Sequence, residues 1–153
     1  MLASTVRAIT RPRIAAAAIP AASWRFHCQV PCGIFTDDLR VKAMMEDAQT
    51  IRKSVVQISE LYKANSLQDM HQLVRWVATK EEHASQVMGT ISEYFLAQRV
   101  KKELLSEPEY FKSLAAHHAV MVAAMKAKQS SELGPVDALD AALKELEPLY
   151  APK

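Results

Sequence analysis

Both cysteines of the chain, Cys28 and Cys32, fall within the stretch His27-Cys28-Gln29-Val30-Pro31-Cys32-Gly33-Ile34-Phe35. In a reducing compartment such a pair favours metal binding or thiol redox exchange over a structural disulfide. Structural zinc usually takes four protein ligands, and no second cysteine pair exists to complete that site. His27 changes the weighting. If the chain is cleaved after Phe26, residue 27 contributes an imidazole and a free α-amine, whose reference pKa of about 7.7 to 8.0 lets it bind metal near neutrality. The next peptide nitrogen can be deprotonated into a ligand, and two thiolates follow. A square of two nitrogens and two sulfurs with an imidazole poised axially suits nickel or copper, not zinc. Pro31 fixes its own φ and Gly33 allows a positive one, so a short chain can curl back around an ion.

Such a site requires a removable leader, and Met1 to Phe26 has the composition of one. It holds four arginines (Arg7, Arg11, Arg13, Arg25), no acidic residue, several hydroxyl side chains and an alanine-rich middle. That pattern reads as an organelle transit peptide, residues 1–26. Arg25 stands two residues before His27, as in mitochondrial matrix processing by a presequence protease. The plastid stroma is the alternative destination. A competing reading makes 1–26 an amphipathic first helix packed on the domain. Taking the leader's four arginines from the chain's 19 basic residues leaves 15 against 17 acidic, a mildly acidic remainder.

The rest of the 153 residues must position this hook, and at 50% hydrophobic they can build one core. Three glycines, Gly33, Gly89 and Gly134, supply neither a phosphate loop nor the turns of a many-stranded sheet. No apolar run reaches the roughly 18 to 20 residues of a membrane span, and 19 basic against 17 acidic residues make no case for nucleic acid.

Apolar residues at steps of three and four predict four helices. The first runs over 38–63 with Val41, Met44, Met45, Ala48, Ile51, Val55, Ile58 and Leu61 inward. The second opens at Ser66 with Asp69 three later, a capping box, and carries Met70, Leu73, Val74, Val77, Ala84, Val87, Met88, Ile91 and Phe95 to about residue 102. The third opens at Ser106 with Pro108 and Glu109, then Tyr110, Phe111, Leu114, Met121, Val122 and Met125. The fourth follows Gly134-Pro135 and ends at Pro148. Short connections predict an all-α, antiparallel four-helix bundle over 36–153, with the metal-binding hook at 27–35.

His-Cys-x-x-Pro-Cys-Gly after a removable leader and before a helical bundle resembles the nickel superoxide dismutases. The resemblance is tight over Cys28 to Cys32 and extends loosely through Lys80-Glu81-Glu82 and Ser92-Glu93-Tyr94-Phe95. It implies a homohexamer of four-helix bundles with one nickel ion per subunit. The ligands would be the amine of His27, the amide nitrogen of Cys28 and the thiolates of Cys28 and Cys32, with the His27 imidazole axial in the Ni(III) state. Superoxide anion would be converted to dioxygen and hydrogen peroxide by Ni(III)/Ni(II) cycling, the thiolate and amide donors stabilising Ni(III). Tyr94 matches one of the family's two site tyrosines; Phe35 stands where the other is usual and lacks its hydroxyl.

The family also orients the axial imidazole through a carboxylate on the first helix and a basic residue on the second. These positions fall at Lys42 and His83, with Glu46 a substitute for the carboxylate. His117 and His118 read as a packed or interfacial pair, since helical neighbours point about 100° apart and cannot share one ion. His71 and His83 read as surface residues. Competing functions for Cys28 and Cys32 are a non-enzymatic helical metallochaperone and a thiol redox protein. One extra residue before His27 would abolish a dismutase site and leave a dithiol carrier unaffected.

Overall fold

The computed structural model describes residues 36–151. The leader and the hook expected over 1–35 lie outside the described residues. Four helices account for most of the chain: α1 (Asp37–Ala64), α2 (Leu67–Gly89), α3 (Glu107–Gln129) and α4 (Gly134–Leu146). A π-helical segment, Thr90–Arg99, continues α2, and short 3-10 turns occupy Lys102–Leu104 and Glu147–Leu149. No strand occurs among the described residues.

Local chemistry explains the boundaries. Asn65 closes α1 in the left-handed region at φ 54°, its N–H donating to the Leu61 carbonyl at 3.1 Å. An asparagine tolerates that conformation better than most side chains. One residue later Ser66 opens α2: its hydroxyl accepts from the Asp69 N–H at 3.1 Å, and its own N–H donates to the Asp69 carboxylate at 3.1 Å. Glu109 likewise accepts from the Ser106 N–H at 3.0 Å and starts α3, with Pro108 in the first turn, where a missing N–H costs nothing. Pro135 does the same for α4.

Each helix packs on its neighbours in chain order, and α4 closes the ring on α1. Side-chain pairs give the directions. The first turn of α1 meets the end of the π-helical segment through Asp37 and Arg99, and the end of α3 meets α2 through Lys128 and Glu81 at 3.5 Å. Arg52 of α1 clamps α4, donating to Asp137 at 2.5 Å and Asp140 at 2.7 Å. Lys80, buried on α2, donates to the Ser130 carbonyl and ties down the loop before α4. The result is the antiparallel four-helix bundle that the spacing implied.

Two helices present faces different from those expected. In α3 the buried residues are Ser113, His117, Val120, Ala123, Ala124 and Ala127, while Phe111 and Met125 are exposed. Small side chains let α3 approach its neighbours closely, so its larger apolar residues stay at the flanks. In α2, Met70, Val74 and Val77 are exposed, and burial begins at Lys80, Ala84 and Val87. The expected stripe is therefore internal only in the second half of that helix.

Candidate functional site

Tyr94 is the one residue of the expected site that the structure describes; His27, Cys28 and Cys32, with Phe35, lie outside the described residues. Tyr94 is 7% exposed and its hydroxyl donates to Asp37 Oδ1 at 2.7 Å. Asp37 begins α1, so the phenol is held at the point where the chain arriving from Cys32 enters the bundle. Arg99 Nη2 donates to Oδ2 of the same carboxylate. The Arg40 guanidinium lies over the Tyr94 ring, 5.9 Å from its centroid, a distance at which cation and ring face attract.

The π-helical winding explains why Tyr94 and Arg99 share one partner. Five residues apart on an α-helix, they would point about 140° away from each other. Winding with i to i+5 bonds, shown by the Val100 N–H donating to the Phe95 carbonyl at 3.0 Å, brings residues five apart to nearly the same side. Burial, with the Asp37 carboxylate beside it, pushes the Tyr94 phenol up to about 12, so it remains a neutral donor at physiological pH. The hydrogen bond to Asp37 raises the Arg99 guanidinium further above its already high value. Arg40 and Arg99 thus both stand beside Tyr94 and Asp37 at this end of the bundle.

Behind Tyr94 the ring of Phe95 packs edge-on, with centroids 5.1 Å apart, and Phe95 in turn lies 4.4 Å from Tyr150. The Tyr150 hydroxyl bonds His117 Nε2 at 2.8 Å, and His117 Nδ1 bonds the Ser113 carbonyl at 2.7 Å. A carbonyl only accepts, so Nδ1 carries the proton and Nε2 accepts from the phenol. Burial lowers the His117 pKa and raises that of Tyr150. A cavity of about 340 Å³ opens beside Tyr150, lined also by Arg99, Lys112 and Leu149.

Of the positions expected to orient the axial imidazole, Lys42 pairs with Asp38 at 3.3 Å on its own helix. His83 is not a bare surface residue: its Nδ1 meets Asp47 Oδ1 at 2.7 Å across α1 and α2. His117 is packed, as expected, while His118 points outward and His71 is exposed. Asp37, Arg99 and Tyr150 escaped sequence reasoning. Asp37 follows the hook by two residues and was open to notice; the pairing of Arg99 with it depends on a winding that an α-helical period hides.

Among the described residues no three His, Cys, Asp or Glu side chains gather closely enough to hold a metal ion. The described helices supply an all-α frame for whatever site the preceding segment completes. Over residues 16–153 the chain matches the family model described as nickel-containing superoxide dismutase, and it belongs to that family. It is an oxidoreductase with nickel as its cofactor. No curated protein and no solved structure matches it.

Proposed function

We propose that the chain dismutes superoxide at a processed N-terminus. His27, through its α-amine and imidazole, and Cys28 and Cys32, through their thiolates and the Cys28 peptide nitrogen, hold the nickel. This donor set fits the ion: electron-rich sulfur and amide donors give nickel a one-electron Ni(III)/Ni(II) couple, which it supplies when bound. The observation that carries the reading is the fixing of Tyr94 by Asp37 in the first turn of α1. Five residues of chain, with a reach of at most about 18 Å, join Cys32 to that carboxylate.

The described residues serve the substrate and its protons. Arg40 and Arg99 give a small anion a positive approach that the mildly acidic remainder of the chain does not offer. Tyr94 stays protonated and aims its hydroxyl at Asp37, which orders polar groups near the start of α1 without adding a competing base. With Phe35 in place of a second phenol, Tyr94 carries this role alone among the two tyrosine positions of the family.

The remaining parts of the reading concern processing and assembly. The arginine-rich, acid-free segment 1–26 supports import, with removal after Phe26 by a presequence protease, into the mitochondrial matrix or alternatively the plastid stroma. An exposed apolar row on α2, Leu67, Met70, Val74 and Val77, repeats at steps of three and four and supports packing against further copies of the chain in a homohexamer. N-terminal sequencing and metal analysis of the natural product test the proposal. His27 as the first residue, with one nickel per chain, is expected. A chain that keeps Arg25 and Phe26, or carries one added residue before His27, and still dismutes superoxide overturns it.

A further inference from the structure

The Tyr150–His117 pair has no part in the dismutation described above, yet it is built with care. A half-buried phenol needs at most one hydrogen-bond acceptor, and any backbone carbonyl would serve. The acceptor present is instead an imidazole whose other nitrogen already donates to the Ser113 carbonyl at 2.7 Å, leaving Nε2 as an open base 2.8 Å from the Tyr150 hydroxyl. His117 is fully buried, so a proton transferred to it has no direct exit to water. Tyr150 also contacts the catalytic end through rings: Phe95 lies 4.4 Å from it, and Tyr94 lies 5.1 Å from Phe95 on the other side.

A phenol gives up an electron readily only when its proton leaves at the same time. Tyr94 is poorly placed for that, because its partner Asp37 is already engaged by Arg99 through the other carboxylate oxygen. Tyr150 instead bonds a ring nitrogen whose companion nitrogen donates to a neutral carbonyl. We infer that Tyr150 and His117 form a redox-active pair that collects strong one-electron oxidants arising from hydrogen peroxide at the catalytic end of the bundle.

The inference rests on the dismutase reading for the source of the peroxide. In the step, an oxidant of the hydroxyl-radical class takes one electron from Tyr150 by way of the Tyr94 and Phe95 rings and becomes hydroxide. The O–H bond of Tyr150 breaks and its proton forms the N–H bond at His117 Nε2. The products are a neutral phenoxyl radical, an imidazolium still donating from Nδ1 to Ser113, and hydroxide, so charge and electrons balance. Return of one electron from a thiol or ascorbate-class reductant, with the proton handed back from His117, restores the pair. Oxidation is thereby drawn away from the cysteines.

The test uses the full processed chain loaded with nickel, its dismutase rate measured first. Hydrogen peroxide is added and samples are frozen for electron paramagnetic resonance. A tyrosyl radical is expected in the parent protein and its loss in Tyr150→Phe, with the starting dismutase rate unchanged and inactivation by peroxide several-fold faster. A radical of equal yield in Tyr150→Phe, or none in a parent sample that dismutes superoxide, overturns the inference. Azidyl radicals delivered to the metal-free chain separate the two claims. A Tyr150 radical there, in a protein that never dismutes superoxide when loaded, supports the pair and overturns the dismutase reading; a radical elsewhere overturns the pair.

Discussion

Tyr94 shows how much a single side chain depends on the residues that hold it. Its phenol is kept neutral by burial and by Asp37, and its direction is set by a carboxylate that Arg99 steadies from the other oxygen. His117 is a second case, and its chemistry makes a pH prediction. Burial lowers its pKa below the ordinary 6.5, so the unfolded chain binds this proton more readily than the folded one. The contribution to stability is complete above 6.5 and is lost as pH falls through the lower folded value, by about 1.4 kcal/mol for each unit of depression. The melting temperature should therefore drop between neutral pH and mild acid, and the drop should be shallower in His117→Gln. Equal slopes in the two proteins would show that other groups govern the acid limb.

Helix boundaries were readable from composition because caps and apolar spacing are local. Ser66 with Asp69 and Ser106 with Glu109 mark starts through bonds inside one turn, and the Gly134-Pro135 pair marks a restart in the same way. Faces were less readable, since burial is decided by neighbours. Alanine scarcely registers in an apolar count, yet Ala123, Ala124 and Ala127 are what turns α3 toward the core, with His117 on the same side. Close approach there leaves no room for growth. Ala124→Leu, at a position with no exposure, should cost about 1 to 3 kcal/mol in urea unfolding, whereas Ala119→Leu on the exposed side should change little. The candidate site divides along the same line. The Cys28 and Cys32 pair, and Tyr94 through the family pattern, are legible as residue types at a spacing. Asp37 and Arg99 become partners only through the folded path of the chain.

Across the described residues all four helices feed one core, from Val41 on α1 to Leu146 on α4, while the first half of α2 is left bare. Leu67 is 89% exposed and Val74 63%, the apolar row on which the proposed assembly draws. Val74→Glu should leave the stability of the isolated chain within about 0.5 kcal/mol and shift sedimentation toward smaller species. An unchanged sedimentation profile would remove α2 from the assembly interface. Ion pairs tie the helices together at two places: Arg99 meets Asp37 where α1 begins, and farther along the bundle Arg52 is shared between Asp137 and Asp140.

The π-helical segment sets a limit on how this chain can vary. Removing a single amino acid between Thr90 and Glu93, ahead of Tyr94, would let the coil tighten into ordinary α form while Tyr94 and Arg99 stay five residues apart. Such a shortened protein would look sound by every bulk criterion, yet the guanidinium would swing off the carboxylate and the phenol would lose its steadied neighbour. Length here is a chemical setting, and one residue is its unit.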